Sequence, residues 1–318
     1  MFAWPLLAVV VLATGCGSPQ EKAAGHLKSA RQYYAAGDLV RAKLELRNTL
    51  QIDPRSARAL YLMALINERD EEYPAVLGNL QMAVEADPTY VDARVKLGNY
   101  YAVGRKVAET REQADAAMAL APNSPSVRLL NAWAFYVAGE RDKARDEARN
   151  ALRLDPKRRD GITLLASLYA EEGRFAEALA AVDEGIKAVS KDDGEDLRRV
   201  RVTLLLQAGE PAKAEQELRL LAGNYPESTA YDVALAKLLV SQNRVAEAEE
   251  RLRSLIARDP DNAAWRVQLA GLLVSQDKVA DAEATLLQAV RENPASDVMR
   301  FALAGFYETN QRPGDARK

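Results

Sequence analysis

The chain has 318 residues, 48% of them hydrophobic and 28% charged, with a formal net charge of −3. Its 43 basic and 46 acidic residues are interspersed, and the longest basic cluster is Lys157-Arg158-Arg159, so no basic block exists to neutralise a phosphate backbone and no nucleic-acid partner is expected. One cysteine and one histidine leave no internal disulfide, too few ligands for a zinc site and no nucleophile–base pair, and with no glycine-rich phosphate loop the reading is no metal, no cofactor and no catalysis.

The first element is an apolar run from Phe2 to Leu12, broken only by Pro5 and followed by Ala13-Thr14-Gly15-Cys16-Gly17-Ser18-Pro19-Gln20-Glu21-Lys22. A bilayer-spanning helix needs about 20 apolar residues, so this shorter run reads as the hydrophobic part of a secretory signal. The small residues before Cys16 resemble a bacterial lipobox, in which the thiol is lipidated and heads the mature protein. That resemblance implies a signal peptide over 1–15, then a lipidated Cys16 and a polar tether over 16–22. With Gly17 rather than Asp after the cysteine, it also implies the outer membrane, facing the periplasm. Ala13 stands where lipoboxes usually carry Leu, and no Lys or Arg precedes the apolar run; an uncleaved anchor with an incidental cysteine is the alternative. His26 falls ahead of the first well-formed helix pair and reads as a solvated side chain.

From residue 23 onward the sequence is periodic. Pro54, Pro88, Pro122 and Pro156 are spaced 34 residues apart, as are Pro226, Pro260 and Pro294. Taking these prolines as position 32 of a repeat, position 8 is small almost throughout: Ala30, Ala64, Gly98, Ala132, Ala166, Val202, Ala236, Ala270 and Ala304. Position 20 reads Ala42, Val76, Thr110, Ala144, Ala178, Ala214, Ala248, Ala282 and Ala316, and position 11 is large, with Tyr33, Tyr101, Phe135, Tyr169 and Tyr307 among its residues. Small side chains at 8 and 20 let two antiparallel helices approach closely, and the large one at 11 fills the space beside them. Position 15 carries Gly37, Gly139, Gly173, Gly209 and Asn243, which suit a left-handed helix C-terminus; Glu71, Arg105, Asp277 and Gln311 depart from this. Pro74, Pro211 and Pro313 open second helices, and Ser56, Ser124, Ser228, Asn262 and Ser296 stand at position 34 as N-caps.

This pattern resembles the tetratricopeptide repeat, which has small residues at 8, 20 and 27, a large one at 11 and proline at 32, at a period of 34. The resemblance implies an all-α fold, a right-handed superhelical solenoid of antiparallel helix pairs over 23–318. Eight complete repeats are followed by a ninth whose second helix is half present, which reads as the N-terminal part of a longer array. A junction at 189–195 lacks the proline and carries two extra residues, and is read as a neutral loop insertion rather than a hinge.

In this family the concave groove is lined by first-helix positions 2, 5, 9, 12 and 13. On this chain those positions give Tyr61, Leu65 and Asn99, then Leu129, Trp133 and Tyr136, as the candidate partner-binding residues. Further along they give Thr163, Ser167, Arg199, Thr203, Val233, Lys237, Val267 and Phe301. Repeats that clamp a chaperone's C-terminal carboxylate carry Lys at 5 and Asn at 9, then Lys at 2 and Arg at 6; only Asn99 matches, so that partner is disfavoured. The whole layout resembles the repeat lipoproteins of bacterial exopolysaccharide and PEP-CTERM/exosortase systems. It implies a membrane-tethered, non-catalytic scaffold with a protein or peptide partner in its groove. Direct handling of a glycan chain during export is one alternative, and an enzyme domain following residue 318 is another.

Overall fold

The computed structural model describes residues 18–190, 194–312 and 314–315, so the signal segment, Cys16 and Pro313 lie outside the described residues. Those residues form 17 α-helices and no strands, in two compact units divided after Gly161. The first unit holds α1 (Pro19–Ala35), α2 (Leu39–Ile52), α3 (Ala57–Arg69), α4 (Tyr73–Ala86), α5 (Val91–Val103), α6 (Val107–Leu120), α7 (Pro125–Val137) and α8 (Arg141–Leu154), and reaches the start of α9 (Arg159–Glu171). The second continues through α10 (Phe175–Ala188), α11 (Glu195–Gln207), α12 (Pro211–Asn224), α13 (Thr229–Ser241), α14 (Val245–Arg258), α15 (Ala263–Val274), α16 (Val279–Glu292) and α17 (Asp297–Thr309).

The repeat phase holds to the residue. Every first helix after α1 begins at position 1, and every second helix at position 17. All nine position-15 residues have positive φ, the four glycines at 73° to 80° and Glu71, Arg105, Asn243, Asp277 and Gln311 at 53° to 61°. The left-handed turn is therefore imposed by the packed helix pair even where a side chain makes it costly. Among position-8 residues, Ala30, Ala64, Ala132 and Ala166 have no exposed surface, and at position 20 the same holds from Ala42 through Ala282.

Three expectations are corrected. Helix α1 begins at Pro19, so residues 19–22 are helical rather than a tether. The cause is local: the Ser18 hydroxyl accepts from Glu21 N–H at 3.2 Å, the Glu21 carboxylate accepts from Ser18 N–H at 2.7 Å, and proline occupies the first turn. His26 therefore lies within the first helix pair, paired with Glu45, rather than solvated ahead of it. Of the five position-34 residues read as N-caps, Asn262 and Ser296 make the side-chain bond. Ser56, Ser124 and Ser228 occupy the cap position without one, and at Ser56 and Ser124 the backbone carbonyl closes the first turn, accepting from Leu60 and Arg128. At the irregular junction α10 ends at Ala188 and Gly194 caps α11, with 191–193 outside the described residues.

Charged side chains repeat with the same period. Positions 4 and 23 of one repeat pair across its two helices in His26–Glu45, Arg94–Gln113, Arg128–Glu147, Arg198–Glu217 and, with the polarity reversed, Asp232–Arg251. The arginines at position 4 also reach back to the carbonyl of the preceding position-32 proline, as Arg94 does to Pro88 at 2.6 Å and Arg128 to Pro122 at 2.7 Å. Where position 4 is Asp232, Arg258 supplies the missing cation, binding both the Asp232 carboxylate and the Pro226 carbonyl. Between neighbouring repeats, position 21 pairs with the next position 16. In the first unit the base comes first, as Lys43–Glu72 and Arg111–Glu140. In the second the acid does, as Glu215–Arg244, Glu249–Lys278 and Glu283–Arg312.

Candidate binding face

Helices pack by their small-residue seams, which leaves positions 2, 5, 9, 12 and 13 of each first helix on one side, away from the second helix. In the first unit this face is half-covered aromatic and polar surface. Tyr61 packs against the core beneath it and meets Tyr90 edge-on with ring centroids 5.1 Å apart. Burial, helped by the nearby Asp92 charge, pushes its hydroxyl pKa up to about 12, so it stays a neutral donor. Leu65 is half-buried against the core of the first two repeats, and Asn99 is exposed. Glu68 accepts from Lys96 and from the Tyr100 hydroxyl, each at 2.7 Å. Burial would raise the Glu68 pKa, but these two partners outweigh it and hold the carboxyl below its usual value.

Trp133 and Tyr136 are both half-buried and meet edge-on at 90°, centroids 5.4 Å apart. The Arg141 guanidinium lies over the Tyr136 ring at 5.0 Å. Leu129 does not belong to this face. It is 4% exposed, because Gly161 offers no side chain and Leu129 settles over it, its methyl carbons 3.1 and 3.4 Å from where a Cβ would stand. Position 5 becomes core wherever the next first helix leaves such a gap.

In the second unit the same face opens into two recesses, away from the candidate partner-binding residues Tyr61, Leu65, Asn99, Leu129, Trp133 and Tyr136. One, of about 650 Å³, lies between α9 and α11 and is lined by Thr163, Ser167, Thr203 and Gln207 among others. The other, of about 510 Å³, lies between α13 and α15, floored by Leu252 and walled by Val240, Gly271 and Leu272. Small residues at position 9 mark both: Ser167 and Thr203 at the first, Gly271 at the second. That signal was present in the sequence, where Leu65, Asn99 and Trp133 fill the same position in earlier repeats.

These surfaces offer shape, apolar area and hydrogen bonds. Among the described residues no three His, Cys, Asp or Glu side chains gather as a metal site, and no helix is long and apolar enough to cross a membrane. Family models described as tetratricopeptide repeat match residues 129–193 and 163–229, and a second such model matches 239–298. No curated protein matches the sequence. Among solved structures the chain is similar to PilW, described as a widely conserved type IV pilus biogenesis factor. The identity is 18% and the TM-score 0.57, over 67% of this chain and 98% of that one. It is also similar to pilF of Pseudomonas aeruginosa, at 18% identity and TM-score 0.52, over 68% and 97%. A third is a structure of Naa15/Naa10 bound to HypK-THB, at 18% and 0.50, covering 89% of this chain and 44% of that one.

Proposed function

Since the chain belongs to the tetratricopeptide-repeat family, we propose that it is a non-catalytic scaffold that binds protein partners along its first-helix face. The observation that carries this is the composition of that face. Half-exposed Trp133 and Tyr136 in the first unit, and exposed Val267 and Phe301 in the second, leave large apolar area on the side of the first helices turned away from their partner helices. Large aromatic and aliphatic side chains left at the surface by a rigid scaffold are the usual anchors of protein recognition.

The lipobox-like sequence at Cys16 supports a further step, in which a lipid fixes this scaffold to the bacterial envelope, facing the periplasm. There it would serve exopolysaccharide or envelope assembly, or protein sorting. A glycan partner is the second reading, favoured by the half-buried edge-on pair Trp133–Tyr136, since aromatic faces also stack on sugar rings.

One experiment tests both parts. The full chain expressed in a bacterial envelope should partition into detergent phase and carry the mass of a diacylglyceryl group, and Cys16→Ser should abolish both. Cross-linking in the same cells should capture a protein that Trp133→Ala releases. A soluble wild type overturns the tether. Capture of polysaccharide in place of protein overturns the protein-scaffold reading in favour of the second.

A further inference from the structure

The face of α13 and α15 is as sparse in charge as that of α5 and α7, whose one charge is Asp92, but its single charge is positive. Over positions 2, 5, 9, 12 and 13, α13 and α15 present Ala230, Val233, Lys237, Val240 and Ser241, then Ala264, Val267, Gly271, Val274 and Ser275. In a chain that is 28% charged, this stretch holds one charge, Lys237. The Lys237 side chain is exposed and, among the described residues, makes no hydrogen bond or ion pair. The cations elsewhere in this unit at Arg198, Arg201, Arg219, Arg244, Arg251 and Arg258 are all engaged by carboxylates.

Beside Lys237 lies the recess of about 510 Å³, which has room for a branched aliphatic side chain. Its wall is open because Gly271 lacks a side chain, and a Cβ built there would meet nothing within 4 Å. At position 5 of the same face, Val267 on α15 is 43% exposed and Phe301 on α17 is 75% exposed. An apolar surface with one unanswered positive charge is complementary to an apolar segment with one negative charge.

We propose that α13 and α15 form a docking site for a partner segment that sets an aliphatic side chain next to a carboxylate. The aliphatic group enters the recess beside Gly271, and the carboxylate meets Lys237 Nζ. Lys237 gives the site its sign and Gly271 gives it its depth. The inference rests on the scaffold reading above, and adds where one partner binds and what chemistry it carries.

The test is selection of a random-peptide phage library on the full chain, followed by titration of the recovered peptides. Recovered sequences should pair Leu, Ile or Met with Asp or Glu. Lys237→Glu should weaken them by about tenfold or more, as loss of a charge-assisted contact requires, and should redirect selection toward Lys and Arg. Gly271→Trp, which fills the recess from an open position, should weaken them comparably. Both sites are exposed, so thermal unfolding should not move. Peptides without an acid, or affinities unchanged in both variants, overturn the proposal. If the recovered peptides instead lose affinity on Trp133→Ala, the scaffold reading stands and this site falls. If the chain dimerises and Phe301→Asp dissolves the dimer, a second copy is the occupant and the proposal is likewise overturned.

Discussion

His26 Nδ1 lies 2.5 Å from Glu45 Oε2, joining position 4 of the first repeat to position 23. The same two positions are joined by Arg94–Gln113, Arg128–Glu147 and Arg198–Glu217, so the chain's one histidine does a structural job that arginine does elsewhere. His26→Arg should therefore leave thermal stability unchanged. His26→Ala should cost no more than about 1 kcal/mol, because the pair is partly solvated. A large loss of partner binding in His26→Ala with an unchanged melting curve would instead give this histidine a functional role.

Helix packing makes a sharper demand at position 20. Ala248 has no exposed surface and sits where α13 and α14 touch. Leucine there should overpack the seam by about 1–3 kcal/mol. Val76 and Thr110 occupy the same position in other repeats, so Ala248→Val should cost distinctly less than leucine. Glu250, two residues on and exposed, should tolerate alanine within about 0.5 kcal/mol. Equal shifts for Ala248→Leu and Glu250→Ala in urea unfolding would contradict the seam.

Acid should act on the second unit through position 21. Glu215 is held below the usual carboxylate pKa by its bond from Arg244, Glu249 by Arg253, and Glu283 by Arg312. A carboxyl whose pKa is depressed on folding contributes stability that is fully present above its unfolded value and is lost as pH falls through its folded one. Unfolding of residues 162–318 should become easier between about pH 5 and pH 2, and the triple change of these glutamates to glutamine should flatten that dependence. Hydrogen exchange followed by peptide across this range resolves the unit concerned, and an unflattened profile would assign the acid sensitivity elsewhere.

The fold was legible because the repeat is written in side-chain volume. Small residues at 8 and 20, large ones at 11 and proline at 32 fix both helices of each pair, and the helix starts follow. What the period could not show was any feature set by a neighbour outside it. Leu129 is core because of Gly161 in the next repeat, and the recess beside Lys237 is open because of Gly271 in the next. Both require reading position 5 or 9 of one repeat together with the gap left by another. The early start of α1 was missed for a different reason: the Ser18–Glu21 capping box lies ahead of the repeat phase and belongs to no period.

The face of the first unit yields the last prediction, and it turns on how deeply Trp133 is buried. Its neighbour Ala132, at position 8, has no exposed surface and faces the second helix, so the indole one residue on points elsewhere. It is half-buried, braced edge-on by Tyr136, over whose ring the Arg141 guanidinium lies. Removing a fully buried tryptophan would cost about 3–5 kcal/mol. With part of the ring already in water, Trp133→Ala should cost less than that, and less than Leu130→Ala, whose side chain has no exposed surface and which should lose about 2–5 kcal/mol. The exposed part of a braced, rigid ring is available to a partner at little entropic cost, so Trp133→Ala should weaken partner binding by about 2 kcal/mol or more. Circular dichroism melts of the two variants, set beside capture of the cross-linked partner, decide the matter. If Trp133→Ala melts as low as Leu130→Ala and still captures the partner, the indole is a packing residue and the binding face lies elsewhere.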